Sequence, residues 1–114
     1  MAEVLFDEMF DEAKQHFITG NYKVAEPLLN QMIMQNTRNP EVFQMLATIC
    51  YDKGQFNKAI KTFKRALEID PTYTDASVGL SIILNDLGRY DEGRKIFEEA
   101  QGLLDKRKGQ TDPF

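Results

Sequence analysis

The clearest alternation of apolar and polar positions lies between Asn39 and Pro71. Apolar side chains recur at Val42, Phe43, Leu46, Ala47, Ile49 and Cys50, the three-and-four spacing that gathers them on one face of a helix. Asn39 offers a side-chain oxygen to cap that helix, and Pro40 suits its first position, where a missing N–H costs nothing. Asp52-Lys53-Gly54-Gln55 breaks the period, with Gly54 free to take the left-handed conformation that ends a helix. A second run through Phe56, Ala59, Ile60, Phe63, Ala66, Leu67 and Ile69 predicts another amphipathic helix, stopped at Asp70-Pro71. Two helices of this length cannot bury both apolar faces against each other, so the unit needs neighbours of its own kind.

Those neighbours stand in register. Gly20, Gly54 and Gly88 recur at intervals of 34 residues, each two residues ahead of an aromatic: Tyr22, Phe56 and Tyr90. The same interval relates the small residues Ala25, Ala59 and Gly93, then the large residues Leu29, Phe63 and Phe97, then Met32, Ala66 and Ala100. This pattern resembles the tetratricopeptide repeat, with its 34-residue period and its small and large positions. The middle repeat carries it most fully, in Phe43, Leu46, Ala47, Cys50, Ala59, Phe63, Ala66 and the turn proline Pro71. The resemblance covers residues 5 to 107. It implies an all-α chain of three tandem helix-turn-helix repeats forming a short right-handed superhelical solenoid. The array is expected over 1–108, with repeats at about 5–38, 39–72 and 73–107, and a short flexible tail over 109–114.

The outer copies depart from the middle one. The first helix, expected over residues 1 to 19, has Val4, Leu5, Met9, Phe10, Ala13, Phe17 and Ile18 as its apolar positions, but Glu12 where the middle repeat has Leu46. A polar residue at that seam fits the end of an array, where no preceding repeat packs. His16, the single histidine, has no partner at metal-ligand spacing and reads as a helix-face pair with Glu12. The second helix, expected from Asn21 to about Asn36, contains Pro27 and should bend mildly there. The turn proline expected at Thr37 is missing, and Pro40 stands nearby instead. In the third repeat Ala76, Val78, Leu80, Ile82, Ile83, Leu84 and Leu87 are apolar on more than one face. The last helix is expected from Asp91 to Lys108, ending at Gly109. Arg94 and Gln101 replace Ile60 and Leu67 there, as solvation requires, yet Ile96, Phe97, Leu103 and Leu104 leave an apolar surface with no following helix to cover it. Patches of that kind mark interaction sites, so these four residues are candidates for self-association.

Composition is that of an ordinary soluble domain, 42% hydrophobic and 28% charged over 114 residues. A net charge of −4 argues against nucleic acid as a partner, because phosphate neutralisation needs a basic surface. Lys106-Arg107-Lys108 is the one basic run and complements the negative end of the last helix. Cys50 has no second cysteine to pair with and lies on an apolar face, where it packs as a small hydrophobe. The acidic start of the chain is unlike a secretory signal, and no apolar stretch approaches the ~20 residues of a membrane span. A soluble, cytoplasmic protein is expected. No phosphate loop, metal cluster or nucleophile–base arrangement is present, so neither an enzyme nor a cofactor is expected.

In the family that the pattern resembles, the first helix of each repeat lines a concave groove that receives an extended peptide or a partner helix. By register the lining positions here are Phe10, Lys14 and Phe17, then Gln44, Thr48 and Tyr51, then Val78, Ile82 and Asn85. Some cochaperone members hold a terminal carboxylate there through lysines, arginines and asparagines. In this chain Phe10, Met45, Val78 and Ile82 occupy key clamp positions, which argues against that activity and for an apolar anchor. The resemblance implies a protein-interaction scaffold that binds a protein or peptide. A homo-oligomer, formed as the last helix meets the first helix of another copy, is compatible with it. The alternative is a dedicated self-assembling solenoid with no separate peptide ligand.

Overall fold

The computed structural model describes residues 2–111, with side chains over residues 6–107. Six helices follow one another: α1 (Ala2–Ile18), α2 (Tyr22–Met34), α3 (Pro40–Asp52), α4 (Phe56–Ile69), α5 (Thr74–Asp86) and α6 (Tyr90–Thr111), with no strand among the described residues. Within repeats α1 packs on α2, α3 on α4 and α5 on α6; between repeats α2 packs on α3 and α4 on α5. The all-α repeat array expected from the 34-residue register is the observed fold.

The turns show why the register holds. Gly20, Gly54 and Gly88 lie at φ 79°, 78° and 78°. The residue after each glycine donates its N–H back to the carbonyl of His16, Cys50 or Leu84, at 2.7, 2.8 and 2.7 Å. This closure satisfies carbonyls that the helix end leaves free. The same device ends α2, where Asn36 takes φ 61° and Thr37 donates its N–H to the Met32 carbonyl at 3.2 Å. A proline at position 37 would lack that donor, which accounts for its absence from the first joint. The second joint is built differently. Asp70 is extended, and its Oδ1 accepts the N–H of Thr72 at 3.0 Å and its hydroxyl at 2.7 Å. At the start of α3, Asn39 accepts the Glu41 N–H at 2.9 Å with Pro40 in the first turn, the cap that the sequence predicts.

The core centres on α3, which buries Val42, Phe43, Met45, Leu46, Ala47, Ile49 and Cys50. Ala25, Leu29 and Met32 of α2 meet it from one side, and Ala59, Ile60, Phe63 and Ala66 of α4 from the other. Fully burying a leucine- or isoleucine-sized side chain stabilises by about 2 kcal/mol, so the middle repeat dominates the favourable term. Burial pushes the Cys50 thiol up, away from the thiolate.

Several details differ from the sequence expectation. The α6 helix continues to Thr111, beyond Gly109; glycine there weakens a helix by about 1 kcal/mol without stopping it, and the next strong stop signal in the sequence is Pro113. Residues 112–114 of the expected tail, and the side chains of Val4 and Leu5, lie outside the described residues. The α2 helix is shorter than expected, ending at Met34, and runs unbroken through Pro27. His16 bonds not to Glu12 but to Asn21, with 3.2 Å between Nδ1 and Nδ2, because the Gly20 turn folds Asn21 back over it.

Candidate functional site

The first helices of the second and third repeats, α3 and α5, lie side by side and enclose a groove of about 400 Å³. One wall is Gln44, Thr48 and Tyr51 of α3. The other is Val78 and Ile82 of α5, and Phe63, Gly79 and Ile83 form the floor. Gln44 donates its side-chain amide to Thr48 Oγ1 at 3.2 Å, while the Thr48 hydroxyl donates to the Gln44 carbonyl at 2.9 Å. The α3 wall therefore meets part of its own hydrogen-bonding need, and the α5 wall stays apolar. Val78 is 38% and Ile82 47% exposed. Asp52 and Asp75 complete the lining. Beside it the Tyr51 hydroxyl donates to Asp86 Oδ2, and that bond, with smaller effects of burial and of the Asp86 and Asp52 charges, raises the phenol above its ordinary range.

The structure thus brings together five of the nine positions expected to line the groove. The three from α1 are engaged elsewhere. Phe17 stacks on Tyr22, with ring centroids 5.9 Å apart. Lys14 pairs with Glu41 at 3.0 Å and lies 5.7 Å over the Phe10 ring. Asn85 is exposed on α5, where its side chain lies close against Gly93 of α6. Sequence reasoning missed Asp52 and Asp75 because both read as helix-end residues, and missed Phe63 and Gly79 because they meet only across a joint.

The end of the array presents a second surface. Leu29, Phe63 and Phe97 hold the same place in successive repeats and are 0%, 3% and 50% exposed. The ring of Phe63 lies so close beneath Gly79 that a Cβ built there would stand 2.5 Å from it. Among the described residues no helix covers Phe97 in this way. Leu103 is also well exposed, at 40%, whereas Ile96 and Leu104 are half-buried, a correction to the expectation that all four stand free. Helical geometry explains it: the flanks of the face that α6 turns to α5 are partly shaded by that contact. Ile96 and Leu103 share a groove of about 310 Å³ with Leu67 and Pro71.

A family model described as tetratricopeptide repeat matches residues 16–66 and again 51–106. The chain belongs to the tetratricopeptide repeat (TPR) family. An uncharacterised protein of Methanocaldococcus jannaschii is 33% identical over 63 residues, 55% of this chain and 73% of that protein. The DnaJ homolog subfamily C member 7 homolog of Dictyostelium discoideum is 26% identical over 77 residues, 68% of this chain and 14% of that protein. Among solved structures, a crystal structure of MamA superposes with a TM-score of 0.82 at 20% identity, covering 91% of this chain and 61% of MamA. Another MamA structure gives 0.74 at 25% identity, and the chain spans 53% of it. The second TPR of Spaghetti (RPAP3), bound to the HSP90 peptide SRMEEVD, gives 0.77 at 20% identity, with 86% and 85% covered. The two likenesses at 20% identity establish the fold alone. Within the fold, no described helix is long and apolar enough to cross a membrane.

Proposed function

We propose that this TPR chain is a non-enzymatic, cytoplasmic interaction scaffold whose groove between α3 and α5 takes an extended peptide or a partner helix. The observation that carries this reading is the exposed apolar wall of Val78 and Ile82 above a preformed floor. Leaving two β-branched side chains in water forgoes about 1 kcal/mol or more each, which an apolar anchor recovers on docking. The RPAP3 domain, solved with a peptide, supports the same use of the fold.

Self-association through α6 is the second part of the proposal, and the exposure of Phe97 and Leu103 favours it. The last helix of one copy would meet the first helix of the next, a heterologous contact that propagates unless it closes. A solenoid that assembles in this way with no separate peptide ligand is the competing reading. Light scattering over a concentration series tests the assembly, and peptide selection separates the two readings. For the wild type we expect mass to rise with concentration, and for a Phe97→Glu, Leu103→Glu variant a constant 13.1 kDa. A constant monomer mass in both would rule out assembly through α6. Peptide selections that recover no binder dependent on Ile82 would rule out the groove.

A further inference from the structure

The charge of the molecule is divided between its two sets of helices. The first helices of the repeats, α1, α3 and α5, carry nine carboxylates and one lysine, hence −8 in a chain whose total is −4. The rest of the chain therefore sums to +4, and α4 alone has four cations against one glutamate. The single lysine of the acidic set, Lys14, is already paired with Glu41.

The groove between α3 and α5 shares this sign. Asp52 and Asp75 line it, Asp86 is held beside it by Tyr51, and no lysine or arginine lines it. Among the described residues none of these three aspartates enters an ion pair. The phenol of Tyr73 is pushed up to about 12, first by burial and then by Glu41, Asp75 and Asp70, so the negative field extends along this edge of the array. A concave, low-dielectric surface focuses such a field and raises the local concentration of cations. Metal ions are a poor fit, since among the described residues no three His, Cys, Asp or Glu side chains converge.

Resting on the groove reading above, we infer that the occupant is a basic protein segment: one apolar anchor against Val78 and Ile82, with Lys or Arg on either side facing Asp75 and Asp52. Helices pack about 10 Å apart, about the length of three extended residues, so a segment of about seven crosses the groove and reaches the carboxylates on either side of it. This polarity is opposite to that of a groove built to hold a terminal carboxylate. An acidic segment would bring like charges together on the same surface, which costs affinity and slows encounter.

The test is a display selection on the intact protein with seven-residue segments that fix one central Leu, Ile or Phe and randomise the rest. An Ile82→Glu variant, which blocks the groove, serves as the counter-selection. The enriched pool should carry more Lys and Arg than Asp and Glu. A representative peptide should weaken about tenfold on Asp75→Lys, less on Asp75→Asn, and again between low and high salt. Asp75 is exposed, so both variants retain the fold, which circular dichroism checks. A neutral or acidic pool, or binding indifferent to Asp75 and to salt, overturns the basic assignment while the groove stands. Enrichment no greater than on Ile82→Glu overturns both.

Discussion

Tyr22 and Tyr51 show how single side chains tie neighbouring repeats together. The Tyr22 hydroxyl donates to Asp52 Oδ2 at 2.7 Å, and Tyr51 donates to Asp86, 30 and 35 residues along the chain. The bond to Asp52, then burial and the Asp52 charge, push the Tyr22 phenol from 10.0 up to about 12. A proton held more tightly in the folded state makes stability fall as pH rises from about 10 to about 12. Melting temperature followed from pH 9 to 12 should therefore drop across that window, and drop less in Tyr22→Phe; equal curves would mean that the bond contributes nothing. Tyr73, also raised to about 12, keeps part of the loss in the variant. These bonds were not legible in the sequence, because nothing in a tyrosine or an aspartate announces a partner 30 residues away. Asn39, Pro40 and the three turn glycines were legible, since each has a local reason for its place. Asn36 was not, because a left-handed asparagine looks like any polar loop residue.

The joints between helices distribute volume. At the second joint Phe63, only 3% exposed, lies under Gly79; at the first, the corresponding residues are Leu29 and Met45, also buried. A bulkier residue on α4 is thus matched by a missing side chain on α5. Glycine within a helix costs about 1 kcal/mol relative to alanine, which Gly79→Ala would restore. The new methyl, however, would meet the Phe63 ring at 2.5 and 2.7 Å in a tight core, and overpacking of this kind costs about 1–3 kcal/mol. Urea unfolding should show Gly79→Ala less stable than wild type by about 1 kcal/mol, and a gain would show that the ring can swing aside into the groove. Helix existence was readable from periodicity, and helix pairing from the resemblance to the repeat family. The candidate groove was half readable: the family resemblance, mapped by register, pointed to Gln44, Thr48, Tyr51, Val78 and Ile82, but not to α1 turning Phe17 onto Tyr22 and Lys14 onto Glu41.

Across the whole molecule the helices are unequally supported. The α3 helix packs on α1, α2, α4 and α5, whereas among the described residues the α6 backbone packs closely on α5 alone. In a linear array each element is stabilised by its neighbours, so local opening follows their number. Amide hydrogen exchange should be slowest in α3 and fastest in α6, and uniform protection would show that the three repeats open only together. Assembly through Phe97 and Leu103 would add a neighbour to α6 and slow its exchange as concentration rises. The order of support was implicit in the register, while the shading of Ile96 and Leu104 depended on helix rotation that periodicity leaves open. The burial of Cys50 carries one more consequence. A thiol sealed in the central helix, with no other sulfhydryl in the chain, makes the protein its own stopwatch: the rate at which a disulfide-exchange reagent reaches that sulfur times the parting of α3 from its neighbours.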